Sequence, residues 1–242
     1  MTNILELDGV TKAFGAVTVA DGLTYAVRQG ESLGVIGPNG AGKTSMFNLI
    51  TATLAPDAGR ITFLGRDVTR TSAAARCRMG IARSFQVPQP FGGLTVFENA
   101  MIAATQGADL HGHEAEALCL DVLEDTGLMD KANTVAGSLA LLDRKRLELT
   151  RALCAKPKLL LLDEIAGGLT DAECTSLVDT IRKINQQGMT IIWIEHVVHA
   201  LLAVVERLIV IDFGVKIAEG EPHAVMASRE VREIYLGIEA DA

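Results

Sequence analysis

The stretch from Ser32 to Ile50 constrains this chain more than any other. An apolar run of strand length, SLGVI (Ser32 to Ile36), leads into GPNGAGKT (Gly37 to Thr44), which leads into a helical pattern, SMFNLI. The loop satisfies G-x-x-x-x-G-K-[ST], and it does so in the strand, loop and helix context that gives the pattern its meaning. Without side chains at Gly37, Gly40 and Gly42 the backbone can curl round a phosphate and aim its N–H groups inward, while the helix N-terminus adds favourable potential. Pro38, Asn39, Ala41 and Ser45 belong to the same candidate cradle. Lys43 is placed to reach the outer phosphates of a nucleotide, and Thr44 to ligate magnesium.

Such a cradle works locally, and the charge of the chain requires that it does. The 22 basic and 30 acidic residues give a net charge of -8, the wrong sign for broad attraction to nucleic acid or anionic lipid. No nucleic-acid partner is expected. Cys77, Cys119, Cys154 and Cys174 lie far apart with no CxxC pair, which suggests neither zinc nor a disulfide framework and fits reduced thiols in the cytoplasm. The start, MTNILELDGV, lacks the features of a signal peptide, so the mature chain is expected to begin near Met1. The most apolar long segment, Val197 to Ile211, is broken by Glu206 and Arg207 and falls short of the ~20 residues that cross a bilayer. A membrane role must be borrowed from another subunit. The mean hydropathy of +0.28 hints at apolar surface covered by partners.

Short apolar runs alternate with helical patterns, which predicts an α/β fold with a mainly parallel sheet. The runs are SLGVI, KLLL (Lys158 to Leu161), TIIWI (Thr190 to Ile194) and RLIVI (Arg207 to Ile211). ILELDGV and LTYAVR instead alternate apolar and polar residues, predicting a flanking antiparallel sheet. Between residues 87 and 155 the patterns are helical, with Leu118, Val122 and Leu123 on one face of the stretch from Glu114 to Thr126. We expect one domain over 1–242, its core drawn from 1–86 and 156–242, with 87–155 as an inserted helical subdomain hinged at Pro88, Pro90, Gly92 and Gly93.

A second cluster follows at KLLLLDE. Asp163 and Glu164 stand at the carboxyl end of a buried strand, where ligands of open α/β sheets bind. Asp163 suits magnesium and Glu164 the polarisation of an attacking water. Two acids at a strand end are equally a solvated turn when read alone; the phosphate loop decides for function. His111 and His113, in LHGHE, read as solvated loop residues.

With both clusters in view the chain resembles the nucleotide-binding subunits of ABC transporters, closely those of branched-chain amino-acid importers. The resemblance runs through VTKAFGA, GPNGAGKT, GIARSFQ, FGGLTVFENAMIA, LLLLDE, IIWIEH and the ending VREIYLG. It implies a P-loop NTPase core that hydrolyses ATP with Mg2+ at a dimer interface on the cytoplasmic face of a membrane. The implied partners are a second ABC ATPase subunit, transmembrane permease subunits resting near Gln86 to Glu98 and, indirectly, a substrate-binding protein. Phe14 matches the aromatic that stacks on adenine, although by itself it is equally a core aromatic. Gln86 matches the glutamine that senses magnesium and water, and His196 the histidine that reaches the γ-phosphate. Ala166 to Asp171 (AGGLTD) corresponds to the loop where the two ATPases meet. Thr170, where many relatives carry aspartate, also makes a capping box with Glu173 at the start of a helix that Gly188 closes.

One departure stands out. The family reads its partner's ATP with a segment of the form LSGGQ, and alignment on RKRLELTRAL places LALLD (Leu139 to Asp143) there. Ala140 lacks the hydroxyl, Leu142 adds a side chain and Asp143 brings negative charge towards a phosphate. The resemblance therefore implies one competent and one impaired site in a heterodimer, with a homodimer as the alternative. Ile165 replaces a frequent proline without removing a chemical group. Rival readings are an export or lipid-extraction motor, a soluble ABC ATPase of DNA repair or translation, and a slow regulatory subunit.

Overall fold

The computed structural model describes residues 2–236, so Met1 and Gly237, the last residue of VREIYLG, lie outside the described residues. Strands β1 (Asn3–Phe14), β2 (Val17–Arg28), β3 (Ser32–Ile36), β4 (Ala58–Phe63), β5 (Arg66–Asp67) and β6 (Ile81–Arg83) come first, with helices α1 (Lys43–Thr51) and α2 (Ala73–Met79) between them. Helices α3 (Val96–Gly107), α4 (Gly112–Asp125) and α5 (Leu141–Cys154) follow without an intervening strand. The chain then alternates through β7 (Leu159–Asp163), α6 (Asp171–Gln186), β8 (Thr190–Ile194), α7 (Val198–Leu202), β9 (Arg207–Asp212), β10 (Val215–Gly220), α8 (Pro222–Ala227) and α9 (Arg229–Leu236).

A six-stranded sheet runs β10-β9-β3-β8-β7-β6, parallel except for the antiparallel edge strand β10, and a second, antiparallel sheet runs β2-β1-β4-β5. The central strands are apolar along their middles because both faces are covered, with the buried polar residues Ser32, Thr190 and Asp163 at their ends. In β8, Ile192 and Ile194 join one core with β1, β2, β4 and α1, while Ile191 and Trp193 join the other with α5, α6 and α7. Successive side chains point to opposite faces, so both faces of Ile191 to Ile194 are apolar, and the buried Thr190 at the strand's start is satisfied by Gly30 N at 2.9 Å. Phe47, Leu49 and Ile50 of α1 are fully buried, which fixes the helix that follows the phosphate loop against the sheet.

The helices between β6 and β7 hold a smaller core of their own, made by Val96, Leu123, Leu128, Ala136, Leu139 and Leu147. Thr95 and Glu98 form a reciprocal capping box that starts α3. On α4 the buried face is Ala115, Cys119, Val122 and Leu123, with Leu118 only half-buried.

Candidate functional site: a nucleotide cleft at the ends of β3, β7 and β8

The loop after β3 is wedged between backbones. A Cβ at Gly42, whose φ is +101°, would stand 2.3 Å from the Val19 carbonyl oxygen, and one at Gly37 would stand 2.0 Å from that of Ile211. Neither position admits any other residue without moving β2 or β9. The β9–β10 turn braces the loop from behind: Gly214 N donates to Ala41 O at 2.8 Å, and Asp21 N to Gly214 O at 2.8 Å. Helix α1 begins at Lys43 with Gly42 as its N-cap and no side-chain cap, which leaves its first amides for an anion.

Lys43 is buried, and its Nζ donates to Gly37 O at 2.7 Å and Pro38 O at 2.9 Å, spanning the loop. Burial pulls its pKa down, opposed by the carboxylates of Glu164 and Asp163. Phosphate oxygens are stronger partners for an ammonium than neutral carbonyls, so the loop can exchange one for the other. A cleft of about 500 Å3 is lined by Val19, Asn39 to Ser45, Gln86 and Glu164.

Asp163 ends β7, and Glu164 follows with a positive φ of 47°. Such a backbone is uncommon for a non-glycine residue and costs about 1–3 kcal/mol; the bond from Glu164 N to Ile194 O at 2.8 Å holds it there. Oε1 of Glu164 lies 2.7 Å from His196 Nε2, while Oε2 accepts from Gln86 Nε2. The structure thus gathers Gln86, Glu164 and His196 around one carboxylate. Gln86 stands in irregular chain, three residues past the end of β6.

Two groups at this site carried no signal in the sequence reading. Arg83 donates to Asp163 Oδ2 at 2.5 Å and to Asn48 Oδ1 at 2.6 Å, its guanidinium 5.5 Å from the Phe47 ring centre and 5.3 Å from that of Phe85. A metal at Asp163 must share the carboxylate with this cation. Glu195, buried beneath His196, accepts from Ala166 N at 2.7 Å, His196 N at 3.0 Å and Val197 N at 3.3 Å. Burial pushes its pKa up, against the pull of those amides. It ties the loop after Glu164 to the loop carrying His196.

Phe14 is 55% exposed, which excludes the core-aromatic reading; it sits at the β1–β2 turn outside the lining of the cleft, with Lys12 Nζ 5.3 Å from its ring centre. Thr170 caps α6 in the expected box with Glu173, and Gly188 has a φ of +97° just past the end of that helix. At LALLD, α5 starts at Leu141 with Ala140 as an N-cap that gives no side-chain bond. Asp143 departs from the expectation that it points charge at a phosphate: it is buried and paired with Lys131. His111 and His113 are exposed.

A parallel sheet with a glycine loop after β3, acids at the end of β7 and a histidine beyond β8, the strand between them, defines a P-loop nucleotide hydrolase. The family model described as "ABC transporter" matches residues 20–167. The chain belongs to the ABC transporter family, as an ATP-binding and ATP-hydrolysing subunit. It is similar to the "High-affinity branched-chain amino acid transport ATP-binding protein LivG" of Salmonella typhimurium, 32% identical over 249 residues, covering 97% of this chain and 98% of the relative. The "Nod factor export ATP-binding protein I" of Paraburkholderia xenovorans is 35% identical over 235 residues, covering 96% of this chain and 76% of the relative. The solved ADP conformation of MJ1267, an ATP-binding cassette of an ABC transporter, superposes with a TM-score of 0.89 at 29% identity, covering 98% of this chain and 100% of that one.

Proposed function

We propose that this subunit drives import of branched-chain or related amino acids, as half of an ATPase dimer seated on permease subunits at the cytoplasmic face of a membrane. The observation that carries its hydrolytic part is the single carboxylate of Glu164 held between Gln86 and His196 at the mouth of the phosphate loop. In this reading Phe14 offers its exposed ring to adenine, and the amides from Gly40 to Ser45 with Lys43 hold the phosphates. Glu164 accepts a proton from the attacking water as its oxygen bonds to the γ-phosphorus and the bond to the β,γ-bridging oxygen breaks, releasing ADP and phosphate. His196 and Gln86 keep the carboxylate aimed. Thr44, Asp163 and Gln86 present hydroxyl, carboxylate and amide oxygens, the hard donors that magnesium takes. The Gln86 amide fits because its nitrogen is spent on Glu164, leaving its oxygen free to coordinate. Bound there, magnesium supplies neutralisation of phosphate charge.

Among the described residues no helix is long and apolar enough to cross a membrane. The surface we assign to the permease is a groove of about 520 Å3 between the sheet core and the helices 87–155, where Phe85 and Phe91 are half-exposed, Ala73, Cys77 and Ile102 add apolar wall, and Arg78, Glu148 and Arg151 add charge. We infer that segment 87–155 moves as a unit about this groove. LALLD lacks the hydroxyl and glycine of a full partner-reading segment, which supports a heterodimer with one strong site, built on this chain's own phosphate loop. Export is the second reading, favoured by the Nod factor relative. Reconstitution of the complex with its co-purified membrane partners decides: ATP-driven uptake of labelled leucine, isoleucine or valine supports import, and efflux alone overturns it. Disabling one P-loop lysine at a time tests the asymmetry; equal residual turnover would overturn the reading of one competent and one impaired site.

A further inference from the structure

Segment 86–89 connects the sheet core to the helices, and beyond Ser84 N, which donates to Leu161 O, it leaves the strand ladder. Its tethers come from one face of α5. Lys145 Nζ donates to Gln86 O at 3.1 Å, Glu148 Oε1 accepts from Gln89 N at 2.9 Å, and Arg151 donates to Gln89 O at 2.8 Å. The spacing of 145, 148 and 151 aligns these side chains along the helix. Lys145 does one thing more: the same ammonium donates to Glu164 O at 3.2 Å.

Gln86 and Glu164 are therefore joined twice, by their side chains and by a shared cation behind their backbones. Lys145 is 3% exposed, and burial draws its pKa down against the fields of Glu195, Glu164 and Glu148. Neutralising those acids is not what its contacts do. Glu148 is met by Arg151 at 2.9 Å and Glu195 by three amides, whereas Lys145 spends its donors on the main chain of the two residues that meet over the cleft.

We propose that Lys145 is a positioning residue for hydrolysis: its ammonium fixes the backbones of Gln86 and Glu164 relative to each other and fastens both to α5, the helix that starts at Leu141 within the segment Leu139 to Asp143. This rests on the assignment of Gln86 and Glu164 to the hydrolytic site. A compact ammonium with rotatable donors can serve two carbonyls at once; a thioether can serve neither, and a planar guanidinium must spread them. Displacement of a catalytic group by an ångström costs up to about 100-fold in rate with little effect on ground-state binding.

The test uses the assembled complex with Lys145→Met, Lys145→Gln and Lys145→Arg, measuring kcat, KM for ATP and equilibrium ATP affinity. The neutral variants should lose roughly 10-fold or more in kcat and the arginine variant about 3-fold, with KM and affinity within about 2-fold. Lys145→Met combined with Gln86→Ala should fall less than the product of the single effects, because both act on one geometry. An unchanged kcat in any variant that assembles overturns the proposal, as does a parallel loss of kcat and ATP affinity. Gln86→Ala and Glu164→Gln, run alongside, separate the two levels: full turnover in those refutes the site assignment itself.

Discussion

At the scale of single residues, the phosphate loop and the pair Asp163 and Glu164 stand out by motif spacing, whereas Gln86 and His196 enter only through the family resemblance; the structure brings both against the Glu164 carboxylate. Arg83, Lys145 and Glu195 were not legible. Each works through contacts between segments far apart in the chain, such as Arg83 with Asp163 and Glu195 with Ala166, and no local pattern records such pairs. Arg83 yields a prediction. Asp163 is 3% exposed, and stripping a buried carboxylate of its cation costs about 3 kcal/mol. Arg83→Met should lower the melting temperature without nucleotide, and adding Mg2+ to the ATP-bound protein should recover more stability than in the parent, because the metal replaces the missing charge. Equal Mg2+-dependent shifts in the two proteins would show that Arg83 does not bear on the metal position.

At the scale of elements, the strands SLGVI and TIIWI were readable to the residue, since a strand buried on both faces reads as a near-continuous apolar run. β4, β5 and β10 were missed. β10 alternates exposed and half-buried positions as an edge strand, and its sequence VKIAEG has too little apolar content to stand out. The α6 cap was readable because a capping box is local chemistry. Thr170→Ala should cost about 1 kcal/mol, a fall of roughly 2–4 °C in melting temperature for a chain of this size, with ATP turnover in the complex unchanged. Thermal melting and turnover measured together check this; lost turnover at unchanged stability would assign Thr170 to the dimer contact instead. At α5 the sequence showed that the partner-reading residues were absent, but not that Lys131 answers the charge of Asp143, a pairing across the turn before the helix.

At the scale of the molecule, the alternation of apolar runs with helical patterns was enough for the α/β class, and the switch from strand to helical patterns located the elements between β6 and β7. The clamp joining the two sheets was invisible. Glu31, 5% exposed, accepts from Arg207 at 2.6 and 3.0 Å, and Arg207 also donates to Ala26 O at 2.6 Å. Burial alone would raise the Glu31 pKa, yet its bonds to Arg207 and to the Arg28 amide outweigh it and hold the carboxyl below its ordinary value. A depressed acid contributes stability that is complete above the unfolded pKa of about 4.3 and fades as pH falls through the folded value. Glu31→Gln should therefore lower stability by about 2 kcal/mol at pH 7, and the gap to the parent should close below pH 4. Denaturant titrations across that range check it; a gap independent of pH would mean that the ion pair is not its source.

In the proposed function this chain hydrolyses ATP on its own phosphate loop through the carboxylate of Glu164, held by Gln86 and His196. The direct measurement is single-turnover cleavage of ATP by the assembled complex carrying Glu164→Gln in this subunit alone, beside equilibrium ATP binding. Cleavage at this subunit's site should slow by about 100-fold or more, with ATP affinity retained. Undiminished cleavage there, with binding intact, would contradict it.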